Sequence, residues 1–160
     1  MARPTGSDCI KDSRGVAVAD LNGDGKLDLV INNNNSTPTL YLNILSRSGN
    51  SVVIALQGTR SNRDAIGARV RVKIGGKTMM RQVEAGSGYA SEMMLPVHFG
   101  LGTANKIESV EITWPSGLVN SFDESQTQGW VNSRVDIEEG ALTANRITPM
   151  KSAPGRSARN

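Results

Sequence analysis

At 160 residues, with 38% hydrophobic and only 4% aromatic content, the chain has the material for one ordinary domain or two small ones with a modest core. Its net charge of +3 sits at the end: Ala141–Asn160 holds Arg146, Lys151, Arg156 and Arg159 with no acidic residue, while residues 1–140 carry 14 basic against 15 acidic groups. No basic cluster interleaved with aromatics remains to track phosphates, and no apolar run reaches the roughly 20 residues of a spanning helix, so neither nucleic acid nor membrane insertion is expected.

Residues 1–14 are polar and read as an irregular segment; Cys9 within it is the only cysteine, so an intrachain disulfide is excluded. Val16–Ala19 and Leu27–Ile31 read as short strands flanking Asn22-Gly23-Asp24-Gly25, a strong hairpin-turn signal. Asn32 to Pro38 is a second turn, because Asn tolerates left-handed geometry and resists both helix and ladder, and Thr39–Leu42 is a third strand. With 17 glycines between brief Val/Ile/Leu runs, the fold class is all-β.

The first turn carries more than turn chemistry. In Asp20-Leu21-Asn22-Gly23-Asp24-Gly25-Lys26-Leu27-Asp28, side-chain oxygens stand at positions 1, 3 and 5, and a further carboxylate stands at position 9. A hard cation such as Ca²⁺ takes 6 to 8 oxygen ligands, and Gly at position 6 lets the chain wrap it. Asp20, Asn22, Asp24 and Asp28 are therefore the expected side-chain ligands, with Lys26 contributing its backbone carbonyl and pointing its ammonium to water. An EF-hand needs Glu at position 12, where this chain has Ile31. The β-type flanks instead predict a hairpin loop closed by Asp28 from the start of the second strand. A plain Asn-Gly turn would leave three carboxylates repelling one another, a repulsion that a cation relieves.

A break at Ser46–Asn50 divides residues 15–46 from a second module over 51–140. Its expected strands are Ser51–Gln57, Ala68–Ile74, Thr78–Glu84, Ile107–Thr113 and Arg134–Ile137. Alternation places Val70, Val72, Ile74, Val110, Ile112 and Trp114 inward and Arg69, Arg71 and Lys73 on a solvated face. A small antiparallel β-sandwich or barrel follows. Residues 141–160, rich in Ala, Ser, Pro and Arg, read as a flexible tail.

No catalytic set stands out. His98 is the only histidine, and its Gly-rich setting reads as a turn whose imidazole bonds backbone. Gly86-Ser87-Gly88 and Gly100-Leu101-Gly102 open no helix and lack a following Lys-Ser/Thr, so they are not phosphate loops. Ser116 lies outside any G-x-S-x-G elbow, and the pairs Met79-Met80 and Met93-Met94 read as fillers. Trp114 ends a strand before Pro115 and packs on the sheet.

Gly15 through Leu29, continued by Leu40-Tyr41-Leu42-Asn43, resembles the calcium loop of FG-GAP/VCBS repeats, the blade units of integrin-like β-propellers. Ala65-Ile66-Gly67-Ala68-Arg69-Val70, Gly86-Ser87-Gly88-Tyr89-Ala90-Ser91, His98-Phe99-Gly100-Leu101-Gly102 and Trp114-Pro115-Ser116-Gly117 are similar, in order, to motifs of the ASPIC/UnbV domain. That domain follows such repeats at the C-terminal end of secreted or surface proteins, the cartilage acidic proteins among them. The resemblance implies a β-rich module beside a propeller, calcium in the repeat, an extracellular setting and no catalytic chemistry. A propeller needs typically 4 to 8 blades, and this chain holds one repeat. It is therefore expected to be the C-terminal piece of a longer secreted protein that supplies the preceding blades, or a split gene whose lone hairpin packs on the second module.

The expected function is a non-catalytic, calcium-binding module for extracellular binding, adhesion or scaffolding, with an unidentified protein or glycan partner. The alternative is a carbohydrate-binding or accessory domain of a secreted hydrolase, in which Tyr89, Trp114 or Trp130 would stack on sugar rings; their exposure separates the two. A third reading is a structural cap on a propeller end.

Overall fold

Short runs of three to eight residues, most of them ended by Gly, Asn, Asp or Pro, form eleven strands and no helix among the described residues. The computed structural model describes residues 10–45, 49–86, 88, 91–93 and 95–151. β1 (Ser13–Ala19) and β2 (Asp28–Asn33) form an antiparallel hairpin in which Val16 faces Ile31 and Ala19 faces Asp28. Asp28 thus opens the second strand, where a loop closed by its last carboxylate needs it. β3 (Thr39–Tyr41) adds to the free edge of β2, after a turn in which Asn35 adopts a left-handed φ of 50°. β1 begins at Ser13, inside the segment expected to be irregular, because Asn34 N–H donates to the Asp12 carbonyl and carries the ladder onward.

From β4 onward the chain builds two further four-stranded sheets. One runs β11-β10-β4-β7 and the other β6-β5-β8-β9, from β4 (Asn50–Gln57), β5 (Arg69–Ile74), β6 (Lys77–Gln82), β7 (Val97–Gly102), β8 (Ser109–Thr113), β9 (Val119–Asp123), β10 (Ser133–Glu138) and β11 (Arg146–Pro149). They face each other across one core: Val52, Ile54, Val97, Phe99, Val135 and Ile137 meet Val70, Val72, Val110, Ile112 and Phe122. This is a sandwich, not a closed barrel. The inward set expected from alternation is buried at Val70, Val72, Val110, Ile112 and Trp114, and Ile74 packs partly buried against it.

Four features depart from the sequence expectation. β4 and β10 pair in parallel, with Val53 opposite Arg134, so one sheet is mixed. The chain reaches β10 only after crossing through the opposite sheet, a return that brings the strand back in the same direction. His98–Gly102 is strand, not turn: Val97, Phe99 and Leu101 are buried at period two, and Gly100 and Gly102 occupy the outward positions that would otherwise have displayed the alternation. β9 is short, with Asn120 and Phe122 inward, and follows the Pro115–Gly117 turn.

The fourth departure concerns the segment expected to be a flexible tail. Within it, Arg146–Pro149 pairs with β10, Met150 N–H donates to the Asn132 carbonyl at 2.9 Å, and Lys151 N–H donates to the Gly23 carbonyl at 2.8 Å. An edge strand draws its stability from main-chain bonds on one side, so its side chains need no apolar period. Arg156 and Arg159 lie outside the described residues, as does Cys9.

The acidic hairpin loop and its dock

Eight residues, Asp20 to Leu27, separate paired Ala19 from paired Asp28, and the loop is organised by carboxylates receiving backbone N–H groups. Asp20 Oδ1 accepts from Gly23 at 2.7 Å and Asp24 at 3.1 Å, and its Oδ2 accepts from Gly25 at 2.8 Å. Asn22 Oδ1 takes Asp24 N–H at 3.0 Å, and Asp24 Oδ1 takes Lys26 N–H at 3.0 Å. Gly23 and Gly25, at φ of 76° and 81°, supply the left-handed turns that aim these donors inward. Asp28, 1% exposed, ties the hairpin ends together: Oδ2 accepts from Leu21 N–H at 3.0 Å and Oδ1 from Asn43 N–H at 2.7 Å.

Lys26 does not point to water. It is buried, its Nζ donates to the Leu45 carbonyl at 3.0 Å, and it stands 3.7 Å from Asp24 Oδ2. The mutual repulsion of three carboxylates is thus offset in this structure by six backbone donors to the Asp side chains of the loop and its closing Asp28, and by one ammonium.

The donor chemistry fits a hard cation. All side-chain donors are oxygens, and an ionised carboxylate has about four acceptor sites, so those already holding N–H groups keep lone pairs for a metal. Asp20, Asn22, Asp24 and Asp28, with the Lys26 carbonyl, are the residues that would hold it. Among the described residues no three His, Cys, Asp or Glu side chains converge as a metal cluster, because these carboxylates turn to the loop backbone.

The loop also docks on the sandwich through contacts that sequence reasoning missed. The Gly25 carbonyl receives His98 Nε2–H at 2.8 Å and Ser51 Oγ–H at 3.1 Å, and Lys151 holds the Gly23 carbonyl. The imidazole therefore bonds backbone as expected, but that backbone is 73 positions away. Met150 and Ser51 pack so closely on Gly25 that a Cβ there would lie 3.0 Å from Met150 Sδ and from Ser51 Oγ. Val18 N–H, on the hairpin's outer edge, meets Met93 Sδ at 3.3 Å. Val53, on the outer face of β4, is buried in a cleft shared with Asp20, Gly23, Thr148 and Met150, which explains why β4 reads as a continuous apolar run.

A second carboxylate site lies in the sandwich and carried no sequence signal. Glu139 Oε2 accepts N–H groups from Thr59, Arg60 and Ser61 at 2.9, 2.7 and 2.7 Å, and its Oε1 accepts the hydroxyls of Ser61 at 2.9 Å and of Ser116. Burial pushes this carboxyl up, but the Ser116 hydroxyl and the Ser61, Arg60 and Thr59 N–H groups outweigh it and bring the pKa to about 2. Ser116 thereby joins the Pro115–Gly117 turn to residues 59–61 through their shared acceptor, Glu139. No sequence pattern links Glu139 to a loop 78 to 80 positions earlier.

The aromatic platform for sugars is absent at the two tryptophans. Trp114 and Trp130 are both buried, the first with Nε1–H on Asn120 Oδ1 at 2.6 Å, the second with its ring 5.3 Å from that of Phe122. Tyr89 lies outside the described residues.

Comparison with known proteins agrees with this two-part organisation. The family described as ASPIC and UnbV matches residues 58–144, and the FG-GAP repeat matches residues 14–54. The chain is 35% identical to cartilage acidic protein 1 of Xenopus tropicalis over 133 residues, 79% of this chain and 20% of that protein. It is 34% and 36% identical to the proteins of that name from Homo sapiens and Mus musculus, each over 128 residues, 77% of this chain and 19% of the relative. The chain spans about a fifth of the length of these curated relatives. It belongs to the ASPIC and UnbV family, with an FG-GAP repeat preceding that domain.

Proposed function

We propose that the chain is a non-catalytic, calcium-stabilised binding or scaffolding module of an extracellular protein, its hairpin continuing a propeller formed by preceding blades. One observation carries the reading: the carbonyls of Gly23 and Gly25, inside the acidic loop, are held by Lys151, Ser51 and His98 of the second module. Ion binding that orders Asp20–Asp28 therefore also orders the dock between repeat and sandwich. Calcium is the expected ion because the donors are oxygens on a flexible loop, where magnesium demands a strict octahedron. Part of the binding energy goes into ordering that loop, so affinity falls near the extracellular range of roughly 10⁻⁴ to 10⁻³ M. Family membership and the names of its relatives support the extracellular setting. The burial of Trp114 and Trp130 weighs against the sugar-binding alternative.

The test is a calcium titration by calorimetry, with thermal melts, on the wild type and Asp24→Ala. Binding raises stability by about 2.7 kcal/mol when calcium stands at 100 times its dissociation constant. Asp24→Ala is expected to abolish that gain; absence of heat and of any melting shift in the wild type at millimolar calcium would leave the loop a turn only.

A further inference from the structure

Among the described residues Lys26 is the only buried lysine or arginine, and it lies within the acidic loop. Its side chain is 7% exposed and that of its partner Asp24 6%. Both oxygens of Asp24 face this one residue: Oδ1 accepts Lys26 N–H at 3.0 Å, and Oδ2 stands 3.7 Å from Lys26 Nζ. The ammonium is anchored on its far side by the Leu45 carbonyl at 3.0 Å, beyond the end of β3. A residue that lent only its carbonyl to a metal would leave its side chain in water, since burying an ammonium is costly unless it is paired and hydrogen-bonded. Here it is both.

We infer that the Lys26 ammonium is the resident counter-ion of the loop: it neutralises Asp24 in the metal-free protein and competes with a divalent cation for that carboxylate. Asp20 and Asp28 have their oxygens on backbone N–H groups, so Asp24 is the carboxylate whose free oxygen has a charged partner. The lysine thereby makes the fold of the hairpin tolerant of calcium loss, and it weakens calcium binding, because an ion ligated by Asp24 must share Oδ2 with an ammonium or displace it. The competition rests on the calcium reading; the counter-ion role does not.

Melting curves of the wild type, Lys26→Met and Lys26→Met/Asp24→Asn, in EDTA and in millimolar calcium, separate the two. In EDTA, Lys26→Met is expected to melt several degrees below the wild type, having left a buried carboxylate unpaired, and the double variant is expected to recover most of that loss. In calcium, Lys26→Met should regain stability and bind the ion on the order of tenfold more tightly than the wild type, since a nearby competing charge is gone. Wild-type melting of Lys26→Met in EDTA overturns the counter-ion role. So does a double variant as unstable as the single one, which would trace the loss to packing of the lysine stem. Equal calcium affinity in wild type and Lys26→Met overturns the competition while leaving the calcium reading intact. Calcium uptake by neither protein overturns the competition together with that reading, and the EDTA melts still decide the counter-ion.

Discussion

The molecule solves one problem twice, once in the Asp20–Asp28 loop and once at Glu139, and the two solutions differ in range. In the loop, three carboxylates collect donors from residues two to seven positions away, the Lys26 ammonium among them, apart from Asn43, 15 positions from Asp28. At Glu139, a single carboxylate collects donors from Thr59, Arg60, Ser61 and Ser116, all distant in sequence, and needs no counter-ion. The local knot shapes the hairpin loop itself, turning Gly23, Asp24, Gly25 and Lys26 N–H groups onto its own carboxylates. The distant knot closes the sandwich by fixing the 59–61 loop against the Pro115–Gly117 turn. Several donors on one buried charge stabilise it strongly, whereas three charges in one loop must divide six N–H groups and one ammonium among them.

Breaking the distant knot should have the largest effect. Glu139→Ala leaves three N–H groups and two hydroxyls without their acceptor, and urea unfolding is expected to show a loss of about 3 kcal/mol. The same carboxyl gives a pH dependence whose sign is determined by its lowered value. Its contribution is complete above the ordinary value of 4.5 and is lost as pH falls from there toward about 2. Melting of the wild type should therefore decline over that window, and the decline should be shallower in Glu139→Gln. An equal acid decline in both proteins would show that Glu139 is not the source of the acid sensitivity.

Ending the chain after Ala141 removes β11 and the Lys151 bond to Gly23, and is expected to cost roughly 2 kcal/mol by denaturant titration. An unchanged midpoint would show that the hairpin dock needs no help from that segment. Gly25→Ala places a methyl group at φ 81° and 3.0 Å from Met150 Sδ and Ser51 Oγ, so a loss of about 1–2 kcal/mol is expected, with amide exchange rising in the loop while the sandwich core stays protected. The smallest effect should come from Ser51→Ala, which removes one of two donors to the Gly25 carbonyl and should cost about 1 kcal/mol. If Ser51→Ala matched Gly25→Ala in size, the dock would depend on that hydroxyl and not on close packing.

What could be read from the sequence were the features whose causes are local. Alternation in Arg69–Ile74 and Ser109–Thr113 specified strands and their inward faces, because a period of two is a property of the strand itself. The spacing of Asp20, Asn22, Asp24 and Asp28 specified a hairpin loop, since all of its donors but one come from the loop or its immediate flank. Hidden features had causes elsewhere in the chain. Gly100 and Gly102 disguised β7, and β11 exists because β10 presents an edge to it. The burial of Lys26 followed from the carbonyl of Leu45 and the carboxylate of Asp24 meeting around one ammonium.

The sequence by itself determined the all-β class, the inward faces and the position of an acidic loop, because period and turn chemistry act over a few residues. Only the tertiary structure decided that this loop is held by Ser51, His98 and Lys151, that Glu139 closes the sandwich, and that residues 146–149 are strand. Each of these is a hydrogen bond between groups far apart in the chain, and its partner is chosen by how the sheets pack, which no local pattern encodes.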